Sequence, residues 1–178
     1  MDRNVSRFLN AATTCGRSGE SELASQSPPP FAAHTILVVD DSENDAALLK
    51  LMFRRSRILN PVQVVNRIQE GIEYLNGDGR FSDRQSFPFP TLLLLDVHLP
   101  DGSGFDLLRW LQTNKGQKPL AVVVLTGSDV TVFKMAYQMG AHSFLTKPLK
   151  FEDFHNMVQH VRGIKLTRNG AGHVLEVE

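Results

Sequence analysis

Short apolar runs alternate along the chain with stretches in which apolar residues recur every three or four positions. The runs are Thr35-Ile36-Leu37-Val38-Val39, Val62 to Val65, Thr91 to Leu95, Pro119 to Leu125 and His142 to Leu145. Each is bounded by turn or polar residues, which predicts strands buried on both faces, as in a parallel sheet. The spacing between them predicts helices. Leu48, Leu51, Met52 and Arg55 follow the capping and acidic residues Ser42-Glu43-Asn44-Asp45, with that helix spent by about Arg57. Gln69 to Leu75 forms a second helix, stopped by Asn76-Gly77. Phe105, Leu107, Leu108 and Leu111 form the apolar face of a third, behind the capping pair Ser103 and Asp106. Val132, Met135, Ala136 and Met139 share one face of a fourth, which Asp129 can cap and Gly140 ends. Phe151, Phe154, Val158 and Val161 face inward on a fifth, running to about Arg162.

This alternation predicts one α/β domain over residues 34–164, a parallel sheet with right-handed crossovers and helices on both faces. The flanks differ. Residues 1–33 carry Ser18, Ser21, Ser25, Ser27 and Pro28 to Pro30 among small polar residues, a composition that predicts a flexible tail. Val5, Phe8 and Leu9 offer at most one amphipathic turn there. Residues 165–178 read as a polar tail in which only Val174-Leu175-Glu176-Val177 has strand character. Asn76 to Pro90 is a long connection for such a fold, and Phe81, Phe87 and Phe89 predict that it packs down.

Composition narrows the function. Lys plus Arg and Asp plus Glu balance at 19 each in 178 residues, so no basic excess argues for nucleic acid. The apolar runs are far too short to span a bilayer, and the N-terminal segment lacks the apolar core of a signal peptide. Cys15 is alone, which excludes an internal disulfide and fits a reducing cytoplasm. No membrane partner and a cytoplasmic location are therefore expected.

The candidate chemistry falls at the strand ends. Asp40 and Asp41 follow the first strand, Asp96 the third, Thr126 the fourth and Lys147 the fifth. In the strand order 2-1-3-4-5 the three carboxylates converge at the carboxyl edge, where α/β sheets bind ligands. Two unit charges about 4 Å apart near a protein surface repel by roughly 4 kcal/mol, so the cluster invites a cation or a proton. Hard carboxylate oxygens suit Mg²⁺, and a hydroxyl with an ammonium nearby suits a phosphoryl group. Asp96 then has the character of a carboxylate nucleophile able to carry an acyl phosphate. Taken singly, each residue is as well explained as a helix cap, a turn or a satisfied hydroxyl; the set in this order is not.

This set resembles the receiver domain of two-component response regulators, of the chemotaxis-regulator type. The matching residues are Val38-Val39-Asp40-Asp41, Leu95-Asp96-Val97-His98-Leu99-Pro100-Asp101-Gly102, Leu125-Thr126-Gly127 and Phe144-Leu145-Thr146-Lys147-Pro148. The resemblance implies a flavodoxin-like fold with a five-stranded parallel sheet, and Asp96 as acceptor of phosphate from a sensor histidine kinase or a histidine phosphotransfer protein. It implies Mg²⁺ held by Asp40, Asp41, Asp96 and the backbone carbonyl of His98. Thr126 and Lys147 then bind the phosphoryl group, Phe144 is the aromatic switch, and a cis bond before Pro148 aims Lys147 into the site. His98 and Ser128 occupy the positions that tune phosphate lifetime in the family. His98 reads either as a phosphoryl contact or water screen or, by a slight preference, as an exposed loop side chain.

The long Asn76–Pro90 loop further resembles single-domain regulators that serve phytochrome-type sensor kinases. With no output domain in view, the expected output is binding of a downstream protein through the fourth helix, fifth strand and fifth helix, with a homodimer left open. Mg²⁺-dependent self-phosphorylation and autodephosphorylation are then the only chemistry. A haloacid-dehalogenase-type phosphatase is the enzymatic alternative, but it wants a carboxylate two residues past the nucleophile, where His98 stands. A constitutive pseudo-receiver scaffold is the other, and the complete set Asp40, Asp41, Asp96, Thr126 and Lys147 argues against it.

Overall fold

The computed structural model describes residues 33–114, 118–127 and 130–178. Five parallel strands, β1 (Thr35–Val39), β2 (Val62–Val65), β3 (Pro90–Asp96), β4 (Ala121–Thr126) and β5 (Ser143–Thr146), pair in the order β2-β1-β3-β4-β5. Helices α1 (Glu43–Arg55), α2 (Ile68–Asn76), α3 (Gly104–Asn114) and α4 (Val130–Gln138) are the crossovers, and α5 (Phe151–His160) follows the last of these strands. The expected 2-1-3-4-5 sheet is the one observed. The N-terminal tail expected over residues 1–33 lies, apart from Ala33, outside the described residues, as does the expected cap Asp129.

Two-sided burial explains why the strands read as apolar runs rather than alternating ones. Leu92, Leu93, Leu94 and Leu95 are all 0% exposed, pointing by turns into two separate cores. Leu93 and Leu95 pack with Leu37, Val39, Tyr74, Leu107 and Leu108 on the α2–α3 side. Leu92 and Leu94 pack with Ile36, Val38, Phe53, Phe154 and Val158 on the α1–α5 side. Each such leucine is worth roughly 1.5–3 kcal/mol of burial, enough to fix the register of the central strand.

Two helix faces and one helix end differ from the expectation. In α1 the buried stripe is Ala46, Leu49 and Phe53, whereas Leu48 (53%) and Leu51 (39%) face solvent. Phe53 decides the rotation, because its ring packs edge-on to Phe154 at 5.0 Å. In α4 only Ala136 of the expected face is fully buried, and Met135 is exposed. The last helix stops at His160 rather than near Arg162, because the chain turns there into a further strand.

That turn leads to the main departure from expectation. The stretch read as a polar tail folds as an antiparallel hairpin, β6 (Ile164–Asn169) and β7 (Gly172–Val177). Ile164 and Leu175 are buried against the α1–α5 face, and Val174 is buried as well. The buried Asn60 clamps it: its side-chain amide donates to the carbonyls of Leu175 and His34 at 2.7 Å each, and its Oδ1 accepts from the Leu175 amide at 2.7 Å. His173 extends the attachment, donating its amide to Arg57 O and accepting from Leu59 N–H. Gly172 is required at this contact, since a Cβ there would lie 2.2 Å from Arg57 O.

The 76–90 connection does pack down. Phe81 and Phe87 meet Tyr74 in a mutual ring cluster, and the Arg84 guanidinium donates to the carbonyls of Tyr74, Leu75 and Phe87. It thereby satisfies carbonyls that the end of α2 leaves open.

Replacing Asn60 by Ala leaves the buried amide and carbonyl of Leu175 and the part-buried carbonyl of His34 without their side-chain partner. We expect a loss of roughly 2–4 kcal/mol in urea unfolding. A change below about 0.5 kcal/mol, the size of an ordinary surface substitution, would show that the hairpin is not anchored through Asn60.

Candidate functional site

The site is built where three apolar strands stop. Asp40 follows the last residue of β1, Asp96 is the last residue of β3 and Thr126 the last of β4. β1 pairs with β3 and β3 with β4, so these ends lie side by side; Asp96 is in register with Leu125, one residue before Thr126. All three side chains are almost fully buried, while Asp41 is exposed. Asp40, Asp41 and Asp96 each bring an oxygen within 4.8 Å of the others.

Lys147 enters from β5. Its ammonium lies 2.6 Å from Asp96 Oδ2, 2.8 Å from Asp40 Oδ2 and 3.0 Å from Asp45 Oδ2. It donates aligned hydrogen bonds to Asp96 and Asp45. Toward Asp40 Oδ2 the contact is a close ion pair with poorer alignment than the other two. The other Asp40 oxygen accepts from Ser42 N–H at 2.9 Å. The Lys147–Pro148 peptide bond is cis.

The electrostatics follow from burial. Loss of water raises the Asp40 pKa, and the Lys147 contact and the Ser42 amide only partly offset this. Burial works against the Lys147 ammonium too, but Asp40, Asp96 and Asp45 overcome it and hold its pKa well above the usual lysine value. One ammonium among four carboxylates still leaves an excess of negative charge. A deeply buried carboxylate oxygen without a well-aligned donor, inside a triad of hard oxygens, fits a divalent cation.

The loop after Asp96 is fixed from three directions. Gly104 opens α3 against the Asp96 backbone, where a Cβ would meet the Asp96 carbonyl oxygen at 2.1 Å. His98 and Leu99 pair antiparallel with Ser103 and Gly102. Asp101 accepts from the Ile68 and Gln69 amides at 3.0 and 3.1 Å, capping α2 from a distance. The His98 amide donates to Asp96 Oδ1 at 3.3 Å, and its side chain is exposed.

Phe144 stands apart from this cluster. It is half-buried on β5, stacked on Phe133 at 3.9 Å with Tyr137 edge-on at 5.8 Å, both from α4. Ser128 lies outside the described residues. The residue that sequence reading missed is Asp45, which had served there only as an acidic residue in the first turn of α1. Its spacing of five from Asp40 carries no hint that both reach one lysine.

A doubly wound parallel sheet with acids at two strand ends and a lysine at a third defines the receiver class of α/β signalling domains. The model of the response regulator receiver domain matches residues 36–159, and the chain belongs to that family. Phosphorylation on an aspartate, binding of a divalent metal and a conformational switch are standard in it, and its members are signalling proteins rather than enzymes in the ordinary sense. The chain is 29% identical over 148 residues to Response regulator Rcp1 of Synechocystis sp., covering 81% of this chain and 95% of that protein. Among solved structures it is similar to the bacteriophytochrome response regulator RtBRR, at 28% identity and TM-score 0.67, covering 76% of this chain and 81% of the other. It is likewise similar to the Mn(2+)-bound form of Rcp1, at 29% identity and TM-score 0.58, covering 71% and 89%. Among the described residues, no helix is long and apolar enough to cross a membrane.

Because burial raises the Asp40 pKa, the folded state holds its proton more tightly than the unfolded chain does. Stability from this group is therefore gained as pH falls through the raised value, and it is withheld above that value. In metal-free buffer, Asp40→Asn should be more stable than wild type at pH 7 by roughly 0.5–2 kcal/mol, and the gap should close toward pH 4. Thermal melts across this range check it; a gap independent of pH would contradict the assignment.

Proposed function

We propose that Asp96 accepts a phosphoryl group from a phosphohistidine, with Mg²⁺ held by Asp40, Asp41, Asp96 and the His98 carbonyl. The observation that carries this reading is the Lys147 ammonium set between Asp40 and Asp96 at the carboxyl edge of the sheet. In the transfer, the donor's N–P bond breaks, an O–P bond forms to an Asp96 oxygen, and the imidazole leaves with the electron pair. A bound Mg²⁺ supplies charge neutralisation for the carboxylates and the phosphoryl oxygens. The Lys147 ammonium then pairs with the phosphoryl group, and the Thr126 hydroxyl donates to it. Gly127 leaves the approach open, for a Cβ there would meet nothing within 4 Å.

Phe144 is proposed as the reporter of this event. Its stacking on Phe133 joins β5 to α4, so movement of Thr126 at the next strand end reaches an aromatic surface that a downstream protein, or a second copy, reads. His98 and Ser128 tune how long the phosphoryl group persists. For the donor we infer a phytochrome-type sensor histidine kinase or a phosphotransfer protein serving one. The likeness to RtBRR and the well-packed 76–90 connection support that choice.

Intact-mass measurement after incubation with Mg²⁺ and acetyl phosphate tests the core of this reading. Wild type should gain one phosphoryl group, and neither Asp96→Asn nor wild type in chelator should gain any. An adduct that survives Asp96→Asn would move the acceptor elsewhere.

A further inference from the structure

One contact of Lys147 has no part in phosphoryl transfer, the 3.0 Å hydrogen bond to Asp45. Asp45 is not one of the three carboxylates grouped as a cation site. It stands in the first turn of α1, which Ser42 caps by accepting from the Asp45 amide at 3.2 Å. Its side chain is 38% exposed, whereas those of Asp40 and Asp96 are 1% and 11%. One ammonium thus spans two deep carboxylates and one at the rim.

That span sets up a competition. A divalent cation drawn to this cluster competes with Lys147 for Asp40 Oδ2, which two cations cannot share without strong repulsion. The ammonium must give ground when the metal arrives. With Asp45 present, it can release Asp40 and still keep an aligned anionic partner beside Asp96. Without Asp45 it would retreat into partial burial with a single partner, a more costly move.

We propose that Asp45 is a positioning residue for divalent-cation binding: it takes up the Lys147 ammonium as the metal displaces it from Asp40, and so lowers the cost of loading the site. The proposal rests on the assignment of Asp40, Asp41 and Asp96 as the metal carboxylates. It concerns Lys147 and Asp45 as a pair, and that pairing separates it from a simple effect of negative charge. A carboxylate that merely drew in the metal by its field would act with or without the lysine. One that only held the lysine over Asp40 would oppose the metal.

The test is titration of Mg²⁺ alone into the full chain by calorimetry at fixed ionic strength, for wild type, Asp45→Asn, Lys147→Met and the double variant. Circular dichroism establishes that each is folded. Asp45→Asn should weaken Mg²⁺ binding by roughly fivefold when Lys147 is present, and by less than about twofold in the Lys147→Met background. Asp45→Glu should recover part of the loss. Equal weakening in both backgrounds would reduce Asp45 to a field effect and overturn the proposal. So would unchanged or tighter binding by Asp45→Asn with the lysine present, even if its melting temperature falls through loss of a favourable charge at the start of α1. Wild type that binds no Mg²⁺ at all would instead remove the metal assignment, and this inference with it.

Discussion

Charge placed at the dry end of a parallel sheet is the constraint on which the rest of the molecule depends. Asp40 and Asp96 end strands whose preceding residues have no contact with water, so the carboxylates inherit a floor of leucine and valine. Left alone, two such anions would take up protons or push the strand ends apart. Lys147 opposes both by lying within 3.0 Å of three carboxylates at once. The remaining imbalance is what makes the edge receptive to a further cation. Affinity for a metal and cost to the fold thus have one origin.

The surroundings make sense as means of holding this arrangement rigid. Gly104 lets α3 start directly against the Asp96 carbonyl, where any side chain would collide. Asp101 ties the same loop to the amides that open α2, so the segment bearing His98 is pinned to a helix as well as to a strand. On the opposite edge, Asn60 and the hairpin close over the N-terminal ends of β1 and β2. A site whose members come from separate strands needs a frame that does not slide, and these contacts supply it.

Position of a residue along a strand was easy to read from the sequence; direction of a helix face was not. The apolar runs around Leu37, Leu93 and Val123 identified three of the sheet's strands, because burial on both faces leaves no polar alternation to confuse them. In α1, Leu48, Leu49, Leu51, Met52 and Phe53 offer competing stripes. Only the edge contact of Phe53 with Phe154, some 100 positions further on, chooses between them. The hairpin escaped notice for a related reason. Residues 164–177 are half polar, and their few apolar members are core only because Asn60 and the α1–α5 face lie opposite.

By itself the sequence determined the order of the elements up to α5, the strand ends at which Asp40, Asp41, Asp96, Thr126 and Lys147 fall, and the kind of chemistry those groups suit. These are local properties: a run of apolar residues ends where a carboxylate or a lysine appears, whatever the distant chain does. Tertiary structure alone decided which oxygens the Lys147 ammonium reaches, that Asp45 supplies one of them, and that Phe144 stacks on Phe133. Those depend on distances between residues as many as 102 positions apart. Such distances follow from how strands and helices pack, a property that no window of neighbouring residues contains.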